Sequence, residues 1–555
     1  MENKEKTPVN TAQNSDLSHV QIEQLIQNNL ELSETNSKLT DSVFQLELSL
    51  ETALHKIQWY EEQIKLGKQK QFGKSSESLS KIQEEIIFNA DEDTTSVASA
   101  QETESTDSSE TITYTRRKSV GRKIDISQLL HFQELHDLSE EEKVCKCCGG
   151  TLHKIREEIS KQVEEIPHQM YVIEHIHPQY GCRHCETVQS AEKEPSVIPK
   201  SMAGASLIAS VILSKYEHHL PLYRQSKIWK GLGVDIPDNT LGNWVMQAGE
   251  GLKPIETALR KVIQSMNYLQ VDETPVKVLK PEKKGYLWAY LSPIENQKLI
   301  WFRFDLTRSG KVVEEDLRDF KGLLQTDGYS GYQKTRERTD IISSGCIGHS
   351  RRKFIEVVQI SSKKVTGKAN EALKYFTDLY EIENEARNQK LNYETRKLLR
   401  QNKALPIVEK FHEWLLKSKN QVPPESMIGK AIDYTLKQWP HLIRYLDYGE
   451  LEIDNNWVEN QIRPFALGRR NWLFVGNPAS AQVGALFYSL IQSAKMNNLN
   501  PRIYLHYLLT QVHALRKNEV NPQDLLPHRI DLEKLKQFAE MQFKKTQAFF
   551  ATTKH

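Results

Sequence analysis

The chain has 555 residues, 38% of them hydrophobic and 26% charged, with a net charge of +1. That length exceeds what one hydrophobic core supports, so several modules are expected. No apolar run is long enough to cross a bilayer, and Met1 is followed by Glu2, Asn3, Lys4 and Glu5, which argues against a membrane partner or an export signal and predicts a cytoplasmic protein.

The first element is a heptad. With Leu25, Leu32, Leu39, Leu46, Ala53 and Tyr60 at d, the a positions are Ile22, Asn29, Asn36, Val43, Leu50, Ile57 and Ile64. So narrow a seam needs a partner helix, and Asn at a sets register at some cost in stability, so a homodimeric coiled coil is expected over 17–75. Residues 77–110 then carry ten acids against Lys81 alone. Apolar side chains are too few there to offset ordering entropy, so 76–115 reads as a disordered linker. The rest of the chain is left with a modest basic excess that is compatible with a polyanion. Arg116, Arg117, Lys118, Arg122 and Lys123 open the next segment as either a phosphate-gripping cluster or a solvated linker end.

Cys145-Lys-Cys-Cys148 and Cys182-Arg-His-Cys185 form two knuckles. A two-residue gap lets both thiolates of a knuckle reach one ion, and two knuckles complete a tetrahedral Zn²⁺ site, so a structural zinc ribbon is expected over 116–195. Cys147 and Cys346 are left over and read as buried packing thiols. A helical region, 196–262, follows. Within it Leu222 to Trp244 reads as helix, turn at Gly233, and helix from Asp238, a helix-turn-helix-like pattern that plain bundles share.

Three strand-like runs come next: Tyr268 to Asp272, Tyr286 to Tyr290 and Leu299 to Phe304. A helical stretch from Val312 to Phe320 then leads to a fourth strand ending in Thr326-Asp327-Gly328-Tyr329. That order is the one of a ribonuclease H-like core, in which acids on the first and fourth strands lie side by side and share divalent metal. Asp272 and Asp327 are therefore candidates for Mg²⁺ or Mn²⁺ ligands. A third carboxylate is expected from a later helix, where Glu459 and Asp454 compete. Residues 354–450 have helical spacing, with Leu373, Phe376, Leu379 and Tyr380, and later Phe411, Trp414 and Leu415, as insertion-domain core. His349 beside Arg351, Arg352 and Lys353 reads either as a contact to a scissile phosphate or as an ordinary helix start.

Together Asp272-Glu-Thr-Pro275, Thr326-Asp-Gly-Tyr329, Cys346 to Arg352, Asp454-Asn-Asn456 with Glu459, Arg463-Pro464 and Gly468-Arg-Arg-Asn-Trp-Leu-Phe474 resemble the DDE transposases of insertion sequence sixty-six. The zipper ending in Phe72-Gly-Lys-Ser75, the double knuckle, His219 to Arg224 and Asn500 to Leu505 fall in the same order. The resemblance implies Asp272, Asp327 and Glu459 as the triad holding two Mg²⁺ or Mn²⁺ ions. It also implies cleavage at the element's terminal repeats, joining of the new 3′-hydroxyl to target DNA, small accessory proteins of the same element, and a bacterial nucleoid setting. Arg463, Arg469 and Arg470, with His349, Arg351 and Arg352, are then expected to hold DNA.

The fold class expected is multidomain α+β, with a coiled coil, a zinc ribbon, a helix-turn-helix-like region and a ribonuclease H-like core split by an all-helical insertion. The core would comprise 263–353 and 451–500, with 354–450 inserted and 501–555 as a helical tail. The rival functions are a structure-specific nuclease of the same fold that never joins strands, and an inactive zinc-containing DNA-binding regulator.

Overall fold

The computed structural model describes residues 196–295, 297–360 and 367–552, with 170–177, 179–181, 188–190, Cys147 and scattered positions between 24 and 43. The chain forms two compact units, one made of residues 1–92 and 194–555, the other of 93–193. In the heptad, the described residues between Gln24 and Val43 are helical, and the seam residues Leu39 and Val43 are exposed. The remainder of the heptad, the acidic segment and the basic cluster lie outside the described residues.

In the smaller unit, strands β1 (Gln179–Gly181) and β2 (Val188–Ser190) pair antiparallel with Gly181 opposite Val188. They flank the second knuckle in sequence, but Cys145, Cys148, Cys182 and Cys185 lie outside the described residues. Cys147 is exposed and sits at a turn, contrary to its reading as a packing thiol.

The larger unit begins with helices α1 (Ala205–Tyr216), α2 (Leu222–Gly231) and α3 (Asp238–Gln264). The turn between α2 and α3 uses Gly233 at φ +87°, a conformation that costs glycine nothing. Beyond Leu241, α3 buries a stripe of Val245, Ala248, Leu252, Ile255, Leu259 and Ile263, so most of this helix is core.

A five-stranded sheet follows, built from β3 (Tyr268–Val278), β4 (Lys283–Ser292), β5 (Leu299–Asp305), β6 (Gly322–Gln325) and β7 (Ile341–Ser344), in the order β5-β4-β3-β6-β7. The first three strands form an antiparallel meander, while β6 and β7 run parallel to β3. The connection from β5 to β6 contains helix α4 (Gly310–Asp316). β3 runs six residues past Asp272, where its sequence expectation stopped. Pro275 is tolerated there because its carbonyl accepts from Arg469 instead of joining the ladder to β4, so no ladder hydrogen bond is lost to the missing N–H. β7 was not foreseen, since Ile-Ile-Ser-Ser is too short to show a period.

After β7 come α5 (Ile347–Ile360), α6 (Lys368–Asn388), α7 (Tyr393–Leu399), α8 (Leu405–Lys419) and α9 (Met427–Leu442). Helix therefore starts at Ile347 rather than 354, so His349 to Lys353 are its first turns. Phe376, Leu379, Phe411 and Leu415 are buried, with Leu373, Tyr380 and Trp414 packed against them, so the aromatics of this region build a core. At its centre the guanidinium of Arg400, fully buried, binds both carboxylate oxygens of Glu383, at 2.7 and 2.8 Å, and the carbonyls of Tyr445, Tyr448 and Leu451. Arg396 bridges the same Glu383 to Glu452.

The chain returns to the sheet with α10 (Asn456–Trp472) and α11 (Pro478–Met496), then α12 (Pro501–Thr510) and α13 (Leu532–Thr552). β5 is an edge strand, and α11 covers it. Ser489 and Ser493, one turn apart, accept the backbone N–H groups of Phe302 and Ile300 at 2.8 and 3.0 Å. The open edge is thereby satisfied by side chains instead of another strand.

Candidate active site

The site is built at the C-terminal ends of β3 and β6. Their parallel register sets Gln270 opposite Gln325. Two residues further on, Asp272 in β3 and Asp327 just past β6 come level, and the two-residue period of a strand puts Asp272 on the same face as Gln270. Asp327 Oδ1 accepts from the N–H of Tyr329 at 2.9 Å, an Asx turn that fixes its carboxyl, and Arg336 donates to its carbonyl at 3.3 Å. Gly328 leaves room for Tyr434, since a Cβ there would lie 2.7 Å from the Tyr434 hydroxyl oxygen.

Glu459 lies in the first turn of α10. Its position is set through the buried glutamines. Gln270 donates to the Asp454 carbonyl at 3.0 Å and accepts from the Val458 N–H at 3.2 Å, and Asn455 donates to the Val271 carbonyl at 3.1 Å. Gln325 donates to the Glu452 and Gly345 carbonyls at 2.8 and 3.0 Å. The start of α10 is thus strapped to the two strands that carry the aspartates.

The electrostatics follow from that convergence. Burial pushes the Asp272 carboxyl well above the usual carboxylate range, and the negative charges of Glu459, Glu273 and Asp327 push the same way. Asp454 plays a different part. Its carboxyl is buried and accepts from the Tyr380 hydroxyl at 2.7 Å and from Asn456 Nδ2 and N at 2.8 and 3.1 Å, so it caps the entry to α10. Burial, against those hydrogen bonds, pushes it up to about 6.

Basic groups surround the acids unevenly. Arg352 Nη2 reaches Glu459 Oε2 at 3.0 Å, and His349 Nδ1 stands 3.6 Å from Glu459 Oε1. Burial lowers the His349 imidazole below its usual range; Glu459 and Asp327 oppose this, while Arg352 and Lys353 reinforce it. Arg351 stacks over Tyr380, 5.8 Å from the ring centre. Arg463 is half-buried along α10, Arg470 is exposed, and Arg469 is tied to Thr274 and to the Pro275 carbonyl. α10 ends at Trp472 with Leu473 at φ +62°, after which Val475 pairs with Val278 at the end of β3.

Three features escaped the sequence. Glu273 accepts from Tyr332 and pairs with Arg308, which itself stacks 3.9 Å from the Tyr329 ring centre. Lys277, Lys283 and Lys284 join Arg469 around an open groove at the β3–β4 hairpin. The glutamine pair looked like ordinary strand residues, and only the two-residue offset from both aspartates signalled their shared face.

Comparisons with known proteins place the chain in a family. Residues 200–483 match the Transposase IS66 family, 142–186 the zinc-finger binding domain of transposase IS66, 489–528 the IS66 C-terminal element, and 59–129 a segment described as transposase C of IS166 homeodomain. Relatives occur in Sinorhizobium fredii (strain NBRC 101917 / NGR234). Uncharacterized protein y4jD is 34% identical over 391 residues, covering 68% of this chain and 76% of that protein. Uncharacterized protein y4hP is 30% identical over 390 residues, covering 66% and 70%. The chain belongs to the transposase IS66 family, with a zinc-finger segment ahead of its transposase domain. Among the described residues, no helix is long and apolar enough to cross a membrane.

Proposed function

We propose that the protein is a DNA transposase that cleaves the ends of its element and joins them to target DNA, using divalent metal held by Asp272, Asp327 and Glu459. The observation that carries this reading is the convergence of the three carboxyls, with Asp272 held far above its ordinary range by burial and by the other acids. Buried like charges are costly unless a cation compensates them, and Glu459 Oε1 is buried with no hydrogen-bond partner among the described residues. A carboxylate set of this kind suits Mg²⁺ or Mn²⁺. When bound, such ions would activate water or a 3′-hydroxyl and stabilise the leaving oxygen.

The sheet order, an antiparallel meander whose first strand lies beside a parallel fourth, supports a ribonuclease H-like core interrupted by the α5–α9 insertion. In it, Asp272 is the anchor on the central strand, Asp327 is oriented by its Asx turn, and Arg352 holds Glu459 by Oε2, leaving Oε1 without a hydrogen bond among the described residues. His349, Arg351, Arg352, Arg463 and Arg470 would meet phosphate. Lys283 and Lys284, with Lys277 beside Glu282, extend that basic surface along the hairpin.

We further assign Cys145, Cys148, Cys182 and Cys185 to a structural Zn²⁺ and the heptad to a homodimer. The proposed partners are the element's terminal repeats, target DNA and the element's own small accessory proteins, at the bacterial nucleoid. The test is incubation of the purified protein with element-end DNA and Mg²⁺ or Mn²⁺. Cleavage and strand-transfer products are expected, and all three of Asp272→Ala, Asp327→Ala and Glu459→Ala should abolish them. Wild-type rates in those variants would refute the reading, and cleavage without joining of a pre-cut 3′-hydroxyl end would make it a nuclease.

A further inference from the structure

We propose that Cys346, His349 and Glu459 form a second metal site that takes a borderline-soft divalent ion such as Zn²⁺, and that an ion bound there withdraws Glu459 from the other two acids. Only the second half rests on the catalytic reading above.

One ligand atom from each of the three residues lies within 4.8 Å of the others. Each is fixed by its own element. Cys346 ends the turn after β7, His349 follows three residues on in the first turn of α5, and Glu459 faces them from the first turn of α10. Two of the atoms lack a partner. His349 Nδ1 and Glu459 Oε1 are both buried without a hydrogen bond among the described residues, and they face each other at 3.6 Å. Buried polar atoms are rarely left so, and a pair aimed at one point indicates something between them.

The third atom is already oriented as an acceptor, since Cys346 Sγ receives the Asn455 N–H at 3.2 Å, the kind of outer contact that steers a metal-bound thiolate. Arg352 occupies Glu459 Oε2 only, which leaves Oε1 for an ion.

The donor set selects the metal. Thiolate, imidazole and carboxylate together suit Zn²⁺, with bonds of about 2.0–2.3 Å and one coordination position left to water, whereas Mg²⁺ takes oxygen ligands. The thiol proton passes to solvent on binding. Glu459 then becomes common to two sites with different preferences, and zinc should oppose magnesium through it.

The experiment uses the full-length protein, stripped with a chelator and re-equilibrated at buffered free Zn²⁺, with bound zinc counted by atomic emission. Wild type should hold one more ion per chain than Cys346→Ser, or bind that ion at least about 10-fold more tightly. Cys346→Ala, which keeps a small apolar group in the buried position, serves if the serine variant does not fold, and thermal denaturation checks both. Co²⁺ loading should give a thiolate charge-transfer band in the wild-type minus variant spectrum. Equal zinc content and affinity, or no difference band, overturns the site. Zinc added to the Mg²⁺-dependent DNA reaction should inhibit wild type at concentrations about 10-fold lower than the variant. Inhibition unaffected by the substitution, with the zinc count still different, keeps the site and overturns the sharing of Glu459.

Discussion

Gln270 and Gln325 hold each other across the seam between β3 and β6, the side-chain amide of Gln270 donating to Oε1 of Gln325 at 2.9 Å. Each lies two residues before an aspartate of the site, and each also grips the backbone that leads into α10. The pair therefore does in the interior what a loop cannot do at the surface, fixing Glu459 against acids more than a hundred residues earlier. Tyr268 completes the network, its hydroxyl accepting from the Glu452 N–H at 3.1 Å.

Gln270→Leu keeps the volume and removes all its side-chain hydrogen bonds, leaving the Val458 N–H, the Asp454 carbonyl and Gln325 Oε1 without that partner. Such loss should cost about 1–3 kcal/mol in denaturant unfolding. Because the start of α10 is then untied, half-saturation by Mg²⁺ in the DNA reaction should rise about 10-fold or more, as for other groups that orient metal ligands. Unchanged Mg²⁺ dependence in a destabilised variant would show that the strap serves folding alone.

The buried ion network of the insertion predicts an acid sensitivity. Burial acts to raise the Glu383 carboxyl, but Arg400 and Arg396 outweigh it and bring it below its ordinary value of 4.5. A carboxylate lowered in the folded state adds stability that is fully present above the unfolded value and is lost as pH falls through the folded one. Glu383→Gln breaks the network and strands two guanidinium groups, so about 3–5 kcal/mol should be lost at neutral pH. Thermal midpoints of wild type and variant should converge as pH drops below 4.5. A gap that stays constant into acid would mean that Glu383 is not charged in the native protein.

Much of this architecture could be read from the chain, and the misses share one cause. The meander was legible because Tyr286 to Tyr290 and Leu299 to Phe304 are rich in aromatic and β-branched residues. Phe376 and Phe411 were legible as core because helical spacing survives in a long segment. β7 and the extension of β3 were not, since four residues carry no period and Pro275 masks a strand whose far side happens to face Arg469. The choice between Asp454 and Glu459 could not be made from spacing either. The two differ in the structure by their hydrogen bonds: Tyr380 and Asn456 engage Asp454, whereas Glu459 Oε1 has no partner among the described residues.

Arg469 and Arg470 are neighbours in sequence with opposite duties. Arg469 spends its guanidinium on Thr274 and the Pro275 carbonyl, joining α10 to β3, whereas Arg470 is exposed. Arg470→Ala should leave the melting temperature unchanged and weaken DNA binding, lowering the salt dependence of affinity by about one ion released. Arg469→Ala should lower stability by about 1–2 kcal/mol before any DNA effect is read. Fluorescence anisotropy across a salt series, beside calorimetry, separates the two, and identical behaviour would remove the distinction.

Arg352 is the cation nearest the candidate third carboxylate, and its exposure decides what it contributes. The two side chains are 37% and 22% accessible, so solvent screens the pair and its share of stability should stay within about 1 kcal/mol. Its geometric share is larger. One Nη2 contact at 3.0 Å holds Oε2 and thereby leaves Oε1 facing His349. Arg352→Ala should leave unfolding almost unchanged and lower the rate of DNA cleavage about 10- to 100-fold, the range for groups that orient ligands. Arg352→Lys keeps the charge but lacks the planar fork, so it should recover binding of DNA more fully than the cleavage rate. If lysine restored both equally, Arg352 would act through its charge on phosphate, and the orientation of Glu459 would have to come from α10 alone.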